Sequence, residues 1–298
     1  MELTLLVLPT IIMLIAFAYL PIFGIIIAFK NLEIVTGNFF SSLFRSSWVG
    51  LSNFQYLFSS GDAAIIIRNT VGYNAVFIVT GIVIPVIMAL ILSQVLNRRL
   101  SKLYQTAMLM PHFLSWVVVS GFVFAFLAPG QGLANHLFHY LHLGSINWFD
   151  NPSPWPYFLS ILNIWKVIGF NTIIYLAAIV GINPELYEAA LIDGASKMQQ
   201  ARYITLPGIM PVIVILLIMA VGNIFNGDFG LFYFIPRQSG PLYNVTEIIN
   251  TYVYGALSGT GSMGMSAAAA FFQSTVGCVM LILVNWVVRF INKENALF

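Results

Sequence analysis

Long apolar runs separated by short polar segments organise the chain, and six of the runs reach the length of a membrane-crossing helix, about 20 residues. They extend from about Leu5 to Phe29, Thr70 to Leu96, Leu103 to Ala128, Pro156 to Ile182, Ile209 to Ile235 and Met263 to Ile291. Runs such as PVIVILLIMAV at 211–221 are continuous, whereas a transmembrane β-barrel shows segments of about ten alternating residues. The expected fold class is an all-α polytopic membrane protein, with residues 1–298 as a single transmembrane domain. The opening run has no basic stretch before it, no small-residue cleavage site, and more length than a signal peptide. It is expected to persist as the first span.

The segments between the runs carry their own patterns. In VGLSNFQYLFSSGDAAIIIRNT, residues 49–70, the helical spacing of Phe54, Leu57 and Phe58 predicts a helix lying along a membrane surface. Residues 128–156 are similar and end in a Pro- and Trp-rich stretch suited to the interface. The most polar long stretch is NPELYEAALIDGASKMQQARYITLPGIMP, residues 183–211. Asn183 before Pro184 is a helix start, an amide cap followed by a residue with no donor to lose. Glu185 and Glu188 suit the positive end of that helix. Gly194 predicts a left-handed break after Ile192. A second helix is expected from about Ser196 to Ile204, stopping ahead of Leu206 and Pro207 because a residue before proline is pushed from the helical region. Two short helices joined at a glycine form a bent knob that a partner protein could grip.

Composition agrees with lipid as the main solvent: 59% of residues are apolar and 7% charged, against about 25% charged in soluble domains. The net charge of +2 comes with no basic stripe, which removes nucleic acid from the partners. Cys278 is the only cysteine and sits in an apolar run. Lysine and arginine placement orients the chain, because basic residues stay on the cytoplasmic side. Arg98, Arg99, Lys102, Lys197, Arg202, Arg289 and Lys293 share one side, against Lys30, Arg45, Arg68 and Arg237. Seven against four places both termini and the 183–208 loop inside.

Candidate chemistry is sparse. Lys166 and Asp228 fall within spans, where an unpaired charge is costly and points to a cavity, a partner or an ion pair; Asp228 in NGDFG also reads as a helix break. Asn171, Tyr175, Asn223, Asn226 and Gln273 offer hydrogen bonds to sugar hydroxyls, and Trp165, Phe225 and Phe229 offer stacking faces. Equally, polar residues in spans often only join helices. His136, His139 and His142 repeat every three residues, but an interfacial helix accommodates such histidines without a metal, and none is expected; His112 has the same ordinary reading. There is no G-x-x-x-x-G-K-[ST] phosphate loop, nor a pair of intramembrane aspartates, so an enzyme is not expected.

Glu188, Ala189, Ala190, Asp193, Gly194, Ala195, Tyr203, Ile204, Leu206, Pro207 and Pro211 resemble the EAA loop of binding-protein-dependent ATP-binding cassette importers. YLPIFGIIIAFKNLEI at 19–34, WVGLSNFQYLF at 48–58 and GSMGMSAAAAFFQS at 261–274 resemble carbohydrate permeases of the type I importer fold, nearest the branch that takes oligosaccharides and polysaccharide fragments. The resemblance implies that the 183–208 loop is a coupling helix docking on a separate ATPase subunit, with Glu188 as a polar contact and Gly194 setting the bend. It implies a paralogous second permease subunit, two ATP-binding subunits and an extracytoplasmic solute-binding protein as partners in the bacterial inner membrane. ATP and Mg would sit in the ATPase subunits, with no cofactor in this chain. The substrate path would draw on Lys166, Asn171, Tyr175, Asn223, Asp228 and Gln273; neutral and acidic oligosaccharides both remain open as substrates, with an alginate-like uronide as one candidate within that branch. The alternative is an ion-coupled secondary carrier or channel with Lys166 and Asp228 as its relay.

Overall fold

The computed structural model of the protein describes residues 2–32, 38–59, 61–142, 144–258, 262–291, 293 and 296–297. Among the segments singled out from the sequence, Glu33, Ile34, Ser60, Leu143, Gly261 and the Tyr56 and Leu57 side chains lie outside the described residues. Among the described residues, five helices are long and apolar enough to cross a membrane: Val7–Phe29, Gly61–Ser93, Trp155–Val180, Lys197–Gly222 and Met263–Phe290. A sixth crossing requires Arg98–Phe113 and Trp116–Leu127 together, and these meet at 92°. The straight span expected from Leu103 to Ala128 is therefore broken. Leu114 adopts extended backbone (ψ 132), and Ser115 accepts the Val118 N–H at 3.3 Å to start a new helix.

By contacts the chain divides into two compact units, residues 1–68 with 248–276 and residues 69–247 with 277–298. In the first unit the opening span changes pitch, α-helical over Glu2–Leu14, π over Ile15–Tyr19 and 3-10 over Leu20–Phe29. A short antiparallel ribbon follows, Lys30 opposite Trp48 and Asn31 opposite Ser47. Asn53 secures this junction by donating to the Ala28 and Lys30 carbonyls at 2.9 and 3.1 Å, acceptors of the kind a helix end leaves open. The buried Lys30 ammonium donates to the Leu43 carbonyl at 2.7 Å and sits 5.1 Å from the Trp48 ring centre. The helix predicted from the 54–58 spacing forms at Ser52–Ser59. Its Phe54 packs on Phe29 and Phe271, and Phe58 on Phe272, so much of its apolar side meets protein instead of lipid.

The second unit is built around Trp155–Val180. Tyr175 and Ile179 from this helix join Val86, Ala89 and Ile209 in a buried core, flanked by Ile82, Leu90, Ile182 and Leu206. On its other side, a Cβ at Gly169 would lie 1.8 Å from the Met108 carbonyl oxygen. Trp155–Val180 and Arg98–Phe113 thus cross backbone against backbone, an approach that only glycine permits.

Two predicted boundaries shift for identifiable reasons. The second span begins at Gly61, nine residues before Thr70, because Asp62 suits the first turn and Ala63–Ile67 continue without a breaker. The fifth span, expected over Ile209–Ile235, instead covers Lys197–Gly222. Proline at 207 does not end the preceding helix, because the chain widens to a π turn over Ala201–Thr205, where the Leu206 N–H reaches the Ala201 carbonyl. That wider turn relieves the clash a proline makes with the carbonyl four residues back. Beyond Asn223 the run expected to reach Ile235 stops, and a separate helix covers Phe229–Phe234.

Candidate functional site: the exposed loop and the asparagine-lined cavity

The 183–208 loop holds its shape through its own backbone. The Asn183 side chain accepts the Glu185 N–H at 3.1 Å, and Pro184–Ile192 is helical. At the far end Gly194 has φ +76, the Ala195 N–H reaches the Ala190 carbonyl at 2.9 Å, and the Gly194 N–H reaches Leu191 at 3.1 Å. These two bonds define a Schellman ending, which accounts for the glycine at the left-handed position. Ser196 and Gln199 then form a reciprocal capping box, with Ser196 N–H to Gln199 Oε1 at 2.7 Å and Gln199 N–H to Ser196 Oγ at 3.4 Å. Tyr187 and Thr205 share a hydroxyl hydrogen bond of 3.0 Å that pins the first helix to the second. Buried Gln200 donates to the Ala195 carbonyl at 3.3 Å, tying the bend to the same framework.

The outer surface of this loop stays unused by the chain. Pro184–Ile192 buries no residue, and Leu186, Leu191, Ile192, Met198 and Tyr203 are all exposed, Ile192 at 87%. Glu188, Ala189, Asp193, Gly194 and Pro207 are exposed too, with Ala190, Ala195 and Leu206 half-buried. Glu188 borders a cavity of about 360 Å³ with Lys197, Gln200 and Thr205. A rigid, apolar-tipped projection on a polar loop is the form expected of a surface that another protein covers.

The second candidate region is a cavity of about 430 Å³, within the usual range for ligand sites, lined by five asparagines, 74, 163, 171, 223 and 226, together with Tyr175 and Asp228. Of the sequence candidates, Asn171, Tyr175, Asn223, Asn226 and Asp228 meet here. Gln273 is half-buried in the first unit, and Lys166 does not line the cavity. Neither do the proposed stacking residues Trp165, Phe225 and Phe229.

Lys166 and Asp228 make no direct ion pair; both engage Trp116. The Asp228 carboxylate accepts the Trp116 indole N–H at 2.7 Å and, through its other oxygen, the Leu231 N–H at 3.2 Å as the cap of Phe229–Phe234. The Lys166 ammonium stands 4.5 Å from the Trp116 ring centre and donates to the Leu114 carbonyl at the break in the span. Gly230 makes room for the indole, since a Cβ there would fall 2.3 Å from Trp116 Cδ1. The two charges therefore hold a helix start and a helix break on either side of one indole. Trp116, Asn74 and Asn163 are the residues that sequence reasoning misses. Tryptophan in an apolar run looks like lipid-facing bulk, and an asparagine signals a cavity only once a neighbouring helix supplies the facing wall. His136 and His139 lie on Leu133–Tyr140, His142 follows at φ 58, and His112 stacks on Phe170 at 4.7 Å. Among the described residues no three His, Cys, Asp or Glu side chains gather as metal ligands.

Comparison with known proteins gives this geometry its context. Residues 81–293 match the family described as "Binding-protein-dependent transport system inner membrane component". The chain is 36% identical to the polygalacturonan/rhamnogalacturonan transport system permease protein YteP of Bacillus subtilis (strain 168), over 98% of this chain and 88% of that one. It superposes with a TM-score of 0.85 and 32% identity on a chain of a bacterial ABC transporter involved in the import of the acidic polysaccharide alginate, covering 98% of this chain and 96% of the other. A second structure of a bacterial alginate ABC transporter, in complex with an alginate pentasaccharide-bound periplasmic protein, gives the same TM-score and identity. With the type I permease fold and family agreement over most of its length, the chain belongs to the binding-protein-dependent transport system inner membrane components, the permeases of ATP-binding cassette importers.

Proposed function

We propose that this chain acts as one transmembrane domain in an importer that carries an oligosaccharide or polysaccharide fragment across the bacterial inner membrane. The stroke enters through the 183–208 loop, on which a separate ATPase subunit closes; ATP and Mg²⁺ reside in a pair of such subunits. A paralogous permease completes the path, and an extracytoplasmic solute-binding protein delivers the sugar. Both termini are cytoplasmic on the balance of lysine and arginine, which puts the loop on the ATPase side. The saccharide reading rests on relatives described as moving polygalacturonan, rhamnogalacturonan and alginate, and on the polar cavity.

The observation that carries the mechanism is the exposed loop: a backbone-locked bend whose apolar tip stands exposed. Copurification through a tag on this chain should bring down an ATPase and a second permease, and the purified complex in liposomes should take up saccharide only with ATP inside. Uptake that persists without any ATPase subunit refutes the reading and favours an ion-coupled carrier.

A further inference from the structure

The short helix Phe39–Arg45 is amphipathic in the sense opposite to a water-facing cap. Its polar Ser42 is buried, the hydroxyl donating to the Asn38 carbonyl at 3.1 Å. Phe40 and Phe44, four residues apart and so on one face, are 66% and 82% exposed. Phe39 and, three residues beyond the helix, Trp48 are exposed as well. Two contacts fix the level of this segment. Trp48 pairs with Lys30, the residue directly after the first span ends at Phe29, and the buried Lys30 ammonium holds the Leu43 carbonyl at 2.7 Å. The helix is thus tied to the end of a membrane span, at the depth where aromatic side chains gather. Phe54 and Phe58 pack on protein, so the surface role that the spacing of Ser52–Ser59 suggests falls to Phe39–Trp48 instead. Charge adds a second mark: Arg45 is exposed in the last turn, and residues 34–61 contain no aspartate or glutamate.

We propose that Phe39–Trp48 is a lipid-binding rim, in which Phe40 and Phe44 enter the acyl boundary of the bilayer and Arg45 takes the phosphate of an acidic phospholipid. An exposed apolar face marks an interaction surface, and one that carries a cation with no acidic neighbour along the chain suits a partner with an apolar body and an anionic head. Guanidinium pairs with phosphate through two parallel N–H bonds, and an acidic lipid presents that phosphate without the offsetting cation of a choline headgroup. The Lys30 ammonium is committed to Leu43 and the Trp48 ring, which leaves Arg45 as the headgroup contact of the segment. The rim continues the apolar surface of the span below it, where Phe17 and Phe23 are exposed in turn. The proposal is independent of what the importer carries.

The test places a bimane label at Ser41→Cys, an exposed position one turn before Arg45 on the same face, with Cys278→Ser removing the native thiol. The complex is purified through a tag on this chain, and the same complex without Ser41→Cys gives the blank. In phosphatidylcholine nanodiscs, acyl-brominated phosphatidylcholine or acyl-brominated phosphatidylglycerol is added at the same small mole fraction, and each quenches the label on contact. Both should quench, with phosphatidylglycerol enriched at the label by about fivefold. Arg45→Gln should abolish that preference and keep the quenching, whereas Arg45→Lys should retain most of the preference. The double variant Phe40→Ser, Phe44→Ser should lower quenching by both lipids, with size-exclusion profiles checking assembly. No quenching by either lipid overturns the proposal, because the rim then faces water or another subunit. Equal quenching by the two lipids overturns it as well, as does a preference that survives Arg45→Gln.

Discussion

Replacing Gly194 by valine tests the loop at the point where backbone conformation alone decides the outcome. Gly194 sits at φ +76, and a Cβ built there meets no atom within 4 Å. The substitution is therefore free of collision, and its whole cost is the left-handed backbone, about 1–2 kcal/mol for an ordinary residue and more for a β-branched one. If the chain relaxes instead, it gives up the Ala195 to Ala190 and Gly194 to Leu191 hydrogen bonds, at about 1 kcal/mol each. By either route the native bend is disfavoured by about 2 kcal/mol, roughly a thirtyfold drop relative to a relaxed loop. In liposomes carrying the assembled complex, stimulation of ATPase activity by the solute-binding protein should fall by about tenfold or more while the subunits still copurify. Asn tolerates the left-handed region better than other residues, so Gly194→Asn should recover most of the stimulation. Full stimulation in Gly194→Val, or equal loss in Gly194→Asn, refutes the argument that this bend transmits the stroke.

Three further outcomes follow from particular contacts. Gly169→Ala places a methyl 1.8 Å from a backbone oxygen, so the solubilised protein should lose about 3 kcal/mol in thermal unfolding, whereas Gly121→Ala, with open space around its Cβ, should change little. Asp228→Asn keeps an oxygen for the Leu231 cap but turns one acceptor of the Trp116 indole into a donor; a loss of about 1–3 kcal/mol and altered tryptophan fluorescence are expected, with ATP dependence of uptake retained. Tyr187→Phe removes the bond to Thr205 and should cost the loop about 1 kcal/mol, read as faster hydrogen exchange over 184–192 with the spans unchanged.

The loop was legible because its signals are local. Asn183, Pro184, Gly194 and Ser196 each act on the backbone within four residues, and each acts where the sequence places it. Span boundaries were less legible where two local rules compete. Proline at 207 reads as a stop, but a π turn three-dimensionally accommodates it, and nothing in ARYIT announces that turn. The break at Leu114 is hidden within an apolar run whose hydropathy is continuous. The roles of Lys166 and Asp228 depend on an indole 50 and 112 residues away in sequence, so their pairing with Trp116 could not be read from spacing. The cavity is legible only in part for the same reason: its wall is assembled from the helices that carry residues 74–82, 163–175 and 216–220, and single asparagines carry no mark of which helix they will face.

The continuity of Lys197–Gly222 gives the molecule a lever arm. One element begins at the capping box beside Gly194 and carries Leu216 and Ala220 at the cavity wall near its other end. Its 26 residues span about 39 Å, so a tilt of about 5° at the loop sweeps the far end through roughly 3 Å, the width of a hydrogen bond. Displacements that are small at the loop are in this way large at the cavity wall, and the π turn at Ala201–Thr205 is the point on the arm where compliance would be felt first.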